Sequence, residues 1–182
     1  MLLQCLSSKD RVRLLHTKLN SWDWTLLHLI TEFDKTGETT KTVLELVSED
    51  QHYHLLSVQT VTKQTPLHRV CRSNNCAVLE VTSEQTRYKL LLQISDSLRG
   101  LTPLHLAAMH NATQAIRIIA DSVSSHHLVH LLTITNRPGF TPVQKAANHG
   151  NQEAEELLQD YYTTAYLIVK ALQQTDHTGN IL

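Results

Sequence analysis

The chain has 182 residues, 41% hydrophobic and 18% charged, with a formal charge of -1 when its histidines are neutral. That length suits one sizeable domain or a short repeat array, and the composition excludes a disordered chain. The near-zero charge excludes a broadly basic surface of the kind that grips nucleic acid without regard to sequence.

The N-terminal string Met1-Leu2-Leu3-Gln4-Cys5-Leu6 is too short for a signal peptide, and no apolar run approaches the roughly 20 residues of a membrane span. Next comes Ser7-Ser8-Lys9-Asp10-Arg11-Val12-Arg13-Leu14-Leu15, a serine start ending in a leucine pair. The same pattern returns as Ser48 to Leu55-Leu56, Ser83 to Leu90-Leu91 and Ser124 to Leu131-Leu132. Each copy predicts a short capped helical turn that tucks its leucines under the segment that follows.

Between these strings runs a second series. Thr25-Leu26-Leu27-His28, Thr65-Pro66-Leu67-His68, Thr102-Pro103-Leu104-His105 and Thr141-Pro142-Val143-Gln144 are spaced by 40, 37 and 39 residues. Threonine before proline favours a helix start, because its hydroxyl caps free N–H groups and proline is tolerated at the first helical position. Small residues follow five and six places on, as in Ala107-Ala108 and Ala146-Ala147, and let neighbouring helices approach closely. Nine places on stand Asp34, Asn74, Asn111 and Gly150, residue types that accept the left-handed conformation ending a helix. A second helix is expected after each stop, at Val43–Val47, Val78–Val81, Ala115–Ala120 and Ala154–Leu158, with the second repeat about one turn short.

A fixed period with the string Thr-Pro-Leu-His marks a repeat architecture, and the chain resembles the ankyrin repeat family over nearly its whole length. The resemblance implies an all-α ankyrin-repeat solenoid of stacked antiparallel helix pairs with projecting β-turn fingers, here with short helical insertions in the loops. One helix pair cannot bury its apolar face alone, whereas stacked pairs share a core. The expected organisation is a single domain over 1–182, with a partial repeat at 1–20 and four repeats anchored at Thr25, Thr65, Thr102 and Thr141. Residues 172–182 would open a truncated fifth repeat. The chain departs from the family pattern at Leu26, where proline is expected, and at Gln144, where histidine is expected. Arg69 and Cys71 interrupt the small-residue run, and Asp23 and Lys63 replace the finger glycine, so the first two fingers are expected to be remodelled.

The resemblance gives His28, His68 and His105 a structural role, hydrogen bonding between neighbouring fingers, rather than general-base work. No Cys-x-x-Cys or His-Glu-x-x-His string supports a metal site among the twelve histidines, and His126, His127 and His130 are expected on a solvated surface. The three cysteines Cys5, Cys71 and Cys76 form no disulfide framework and fit a reduced, intracellular, cytoplasmic setting. Cys71 is expected to be a buried inert thiol. Trp22-Asp23-Trp24 lies on the first finger, and its rings are expected to pack on the partial repeat, although tryptophan is also enriched at binding hot spots.

The functional expectation is a non-catalytic module that binds a protein or peptide through its concave face and finger tips. Neither cofactor, nucleic acid, membrane insertion nor small-molecule substrate is expected. The candidate contact residues are Trp24, Phe33, Gln64, Arg69, Arg72, Leu101, Leu106, Met109, His110, Phe140, Lys145 and His149. Among them Leu101, Leu106, Met109 and Phe140 are expected to form an exposed apolar strip across the third and fourth repeats. The alternative is a cytosolic scaffold segment of a larger protein, such as a channel or enzyme, in which the array spaces or docks other domains.

Overall fold

Local caps start the helices where the sequence places them. The structure, a computed structural model, describes residues 2–73, 76–95 and 99–177. It opens with a short 3₁₀ turn at Leu2–Cys5. Ser7 then caps α1 (Ser8–His16), its hydroxyl accepting from Asp10 N–H. In the first repeat Thr25 precedes α2 (Leu26–Phe33), followed by α3 (Glu38–Glu45) and α4 (Glu49–Leu56). The second repeat holds α5 (Pro66–Ser73), α6 (Ala77–Val81) and α7 (Glu84–Leu91). The third holds α8 (Pro103–Met109), α9 (Thr113–Asp121) and α10 (Ser125–Thr133). The fourth holds α11 (Pro142–Asn148) and α12 (Gln152–His177). Helix α2 starts at the family position without the proline, because Thr25 and His28 form a capping box at its N-terminus.

The insertion is a full helix of eight or nine residues rather than a short turn, so each complete repeat has three helices. Like helices stack in ranks. α2, α5, α8 and α11 pack in order, as do α3, α6, α9 and α12, while α1, α4 and α7 form a third rank. Leu55, Leu56, Leu90, Leu91, Leu131 and Leu132 are all buried and join the inner and outer helices in one continuous core. In the first copy only Leu15 is buried, and Leu14 is exposed. Helix α6 has five residues against eight in α3 and nine in α9, the short element expected of the second repeat.

Helix α12 runs for 26 residues and packs on α9, α10 and α11. Neither glycine nor proline interrupts the sequence between Asn151 and His177, and good helix formers fill it. Residues 172–177 therefore continue α12 instead of opening a fifth finger, and 178–182 lie outside the described residues.

The first, second and fourth fingers share one turn, in which Asp23, Lys63 and Gly139 N–H donate to the carbonyls of Asn20, Thr60 and Asn136, and all four fingers close just ahead of the anchor. Each closes with a backbone hydrogen bond, from Leu19 N–H to the Trp24 carbonyl (2.7 Å), Thr60 to Gln64 (2.9 Å), Ser95 to Leu101 (3.0 Å) and Asn136 to Phe140 (3.0 Å). Two places before each anchor the backbone is left-handed: Asp23 at φ 60, Lys63 at φ 56, Gly100 at φ 76 and Gly139 at φ 89. The turns with Asp23 and Lys63 are thus not remodelled; they adopt the same turn at the cost of a side chain in the left-handed region. The stop signal is less uniform. Asn111 and Gly150 are left-handed, whereas Asp34 is extended at φ −79 and Gly37 takes the turn at φ 80. Asp34 instead accepts from Gly37 N–H, Thr40 N–H and the Thr36 and Thr40 hydroxyls, knitting α2 to α3. Asn74 lies outside the described residues.

Candidate functional site

The anchor histidines are fully buried and tie each repeat to the next. Nδ1 of His28, His68 and His105 accepts from the backbone N–H of Thr25 (3.2 Å), Thr65 (3.1 Å) and Thr102 (3.3 Å). That leaves the proton on Nε2, which donates to the carbonyl of Gln64 (3.1 Å), Leu101 (3.3 Å) and Phe140 (2.9 Å) in the following finger. Burial pushes all three imidazoles down to about 4, so they stay neutral. In the fourth repeat Gln144 Oε1 accepts from Thr141 N–H (2.9 Å), repeating half of the arrangement. Cys71 is likewise buried, and burial raises its thiol far above the ordinary range; Cys76 is pushed up to about 11.

Contacts that no side-chain motif announces lace the third rank to the second. Arg11 and Arg87 occupy the same place, four residues after the capping serine. Arg11 Nη1 donates to the Leu46 carbonyl (2.9 Å) at the end of α3, and Arg87 Nη1 to the Ser122 carbonyl (2.8 Å) at the end of α9. Each guanidinium thus satisfies a free carbonyl at the C-terminus of the next repeat's second helix. At the equivalent place His52 turns to Leu44 of its own repeat (3.0 Å). The histidines of α10 also have neighbours. Tyr88 of α7 stacks on His127 with ring centroids 3.7 Å apart, its hydroxyl bonds His130 Nδ1 (2.6 Å), and Glu84 meets His127 (3.2 Å). These rings join two helices rather than facing solvent alone.

The candidate contact residues divide between the two halves of the array. In the first two repeats Trp24, Phe33, Gln64, Arg69 and Arg72 line one cleft of about 450 Å³, together with Trp22, Leu29, Val61 and neighbours. Phe33, Trp22 and Val61 are 74%, 60% and 52% exposed. Gln64 is almost buried, and its carbonyl is already the acceptor for His28. Arg69 lies 4.4 Å from the Trp24 ring centroid and 3.4 Å from Glu32, so one guanidinium is fixed by a ring and a carboxylate at once. The tryptophans therefore do not cover the N-terminal edge. Trp22 faces the cleft, and its carbonyl accepts from Val61 N–H (3.1 Å) of the second finger.

The apolar strip expected in the third and fourth repeats is not there. Leu101 and Leu106 are 3% and 2% exposed and belong to the core, where α8 packs between α5 and α11. Met109 is half-buried and Phe140 is 38% exposed. At the other variable positions this half leaves polar groups outside: His110 and His149 exposed, Lys145 half-buried. Partial burial and the nearby charges of Arg72 and His149 hold His110 below its ordinary value. Sequence reasoning missed Val61 as a cleft residue; Leu29 stands at the same variable place as Arg69, four residues after its anchor, and Trp22 had carried a signal in its finger-tip position.

Comparison with known proteins agrees with this architecture. The family model described as Ankyrin repeat matches residues 99–128, the stretch from the third finger to the start of α10. Among curated proteins the chain is similar to NF-kappa-B inhibitor alpha of Sus scrofa, 31% identical over 103 residues that make up 57% of this chain and 32% of that protein. The Homo sapiens protein of the same name is 31% identical over 103 residues, 57% of this chain and 31% of its own length. For Rattus norvegicus the figures are 30% over 95 residues, 52% and 29%. The chain spans about a third of the length of the curated relatives it matches.

Proposed function

We propose that this chain, an ankyrin-repeat protein by fold and by family match, is a non-catalytic module that binds a protein or peptide across its concave face and finger tips. The observation that carries this reading is the cleft at the first two fingers. Exposed Trp22, Phe33 and Val61 surround it, with Arg69 and Arg72 at its edge. Tryptophan and arginine are the residues that most often dominate binding energy, and large apolar side chains left in solvent mark a surface that a partner covers. The relatives are by name inhibitors of NF-kappa-B, which fits a protein that acts by binding. The buried, neutral histidines serve the frame, so no general base or nucleophile is assigned. A cytoplasmic location is part of the same proposal, and among the described residues no helix is long and apolar enough to cross a membrane.

Affinity capture with identification by mass spectrometry tests it, with the parent beside two variants, Arg72→Ala with Met109→Ala and Trp22→Ala with Phe33→Ala. A partner retained by the parent and lost by both variants supports the concave assignment. Equal capture by parent and variants refutes it. A second reading, a scaffold segment of a longer protein, draws on the greater length of the relatives, and the full transcript tests it.

A further inference from the structure

We infer that the occupant of the cleft is an acidic peptide segment carrying one bulky apolar side chain, which enters between Trp22, Phe33 and Val61 while its carboxylates meet Arg72 and the hydrogen-bonding histidine row beyond it. This rests on the proposed binding function and names the chemistry of the partner.

The first observation is charge. Arg69 and Arg72 are the charged residues that line the cleft, and both are cationic. At the variable concave positions of the whole array stand Arg69, Arg72 and Lys145 against one carboxylate, Glu32, which Arg69 already engages at 3.4 Å. Among the described residues no carboxylate pairs with the exposed Arg72. The chain as a whole is slightly acidic at -1, so its acids are placed elsewhere. Glu49, Asp50, Glu84, Glu153 and Glu156 are exposed on the second- and third-rank helices. A segregated field of this kind selects the sign of a partner and steers its approach.

The second observation is direction. Arg72, His110 and His149 hold the seventh or eighth place after their anchors, so they follow one another along the concave face from the second repeat to the fourth. An extended acidic segment anchored at the first two fingers runs along that row. The third observation is the shape of the apolar end. A cleft of about 450 Å³ lined by Trp22, Trp24, Leu29, Phe33 and Val61 takes a large side chain, whereas a purely acidic segment leaves its apolar walls in water.

The chain's two tryptophans both line the cleft, so their fluorescence reports its occupancy directly. The probes are a short peptide of aspartate and glutamate with one central phenylalanine, the same peptide with serine for phenylalanine, the same peptide with lysine for each acid, and oligothymidylate. Titrated into the whole chain at low salt, the acidic phenylalanine peptide is expected to shift tryptophan emission saturably. The serine peptide and the Arg72→Glu variant are each expected to bind about tenfold more weakly. Arg72 is exposed, so that variant keeps the fold, checked by circular dichroism. The inference is overturned if the acidic phenylalanine peptide gives no saturable change, if Arg72→Glu binds it undiminished, or if the lysine peptide or oligothymidylate binds more tightly. A captured partner that is lost with Trp22→Ala and Phe33→Ala yet kept with Arg72→Glu overturns the acidic assignment alone and leaves the binding function standing.

Discussion

The first repeat and the third are built on the same anchor, yet they treat the same positions in opposite ways. Four residues after the anchor, Leu106 is buried whereas Leu29 lines an open cleft. One residue before it, Leu101 is buried whereas Trp24 meets solvent on one side. The lesson is that register within a repeat fixes which way a side chain points, and the neighbouring finger decides whether anything lies there. The third repeat is sealed by fitted neighbours on both sides. The first pair of fingers leaves a gap flanked by aromatic rings.

The largest effect is acid sensitivity, which separates the first three repeats from the fourth. His28, His68 and His105 sit at about 4 in the fold against an ordinary value of 6.5, so the unfolded chain takes up protons first. Stability is therefore full above about pH 6.5 and is lost as pH falls toward 4, by about 2 kcal/mol per histidine between pH 7 and pH 5. Urea titrations at the two pH values are expected to show the midpoint falling steeply. Hydrogen exchange sharpens the comparison, because the α11 start, held by Gln144, is expected to keep its protection while the starts of α2, α5 and α8 lose theirs. A flat profile across that range would mean the imidazoles are not buried as described.

Truncating leucines at one register comes next. Leu106→Ala empties a filled core and is expected to cost about 2–5 kcal/mol, whereas Leu29→Ala is expected to cost about 1 kcal/mol. Thermal unfolding of both variants decides it, and equal losses would close the supposed cleft. His105→Ala against Gln144→Ala probes the links between fingers. Removing His105 strands buried N–H and carbonyl groups and is expected to cost about 1–3 kcal/mol, while the exposed Gln144 leaves groups that water reaches and costs less. The smallest effect concerns the turns. Lys63→Gly relieves a left-handed lysine and is expected to stabilise by about 0.5–1 kcal/mol. Gly100→Ala does the reverse, since its Cβ would meet Arg137 Cγ at 3.0 Å on a backbone at φ 76. Denaturant midpoints rank the pair.

What was legible in the sequence was local chemistry. Thr102-Pro103 and Ser124 announce their own helix starts, because a cap depends on a few consecutive residues. The leucine pairs of α4, α7 and α10 show their burial by position alone. What was not legible depended on contacts far along the chain. The burial of Leu101 and Leu106 requires knowing that α8 and its finger are enclosed by the repeats on both sides. The part played by Arg11 and Arg87 was hidden because their targets are backbone carbonyls, which leave no mark in a sequence. The conformation of Asp23 and Lys63 was misjudged because the closing hydrogen bonds of the finger outweigh the modest cost of a left-handed side chain.

The arginine ties have a mechanical side. Arg11 joins the N-terminal helix to the first repeat, and Arg87 joins the second to the third. The backbone bonds from Val61 to Trp22 and from Arg137 to Arg99 join the first finger to the second and the third to the fourth. The two kinds of stitch fall at alternate seams and in different layers, as in staggered masonry. A shearing load that slides one repeat past its neighbour meets one kind of stitch or the other at each successive seam. Cutting one set of stitches leaves the histidine ties in place at every seam between complete repeats, so the load there passes to the imidazoles.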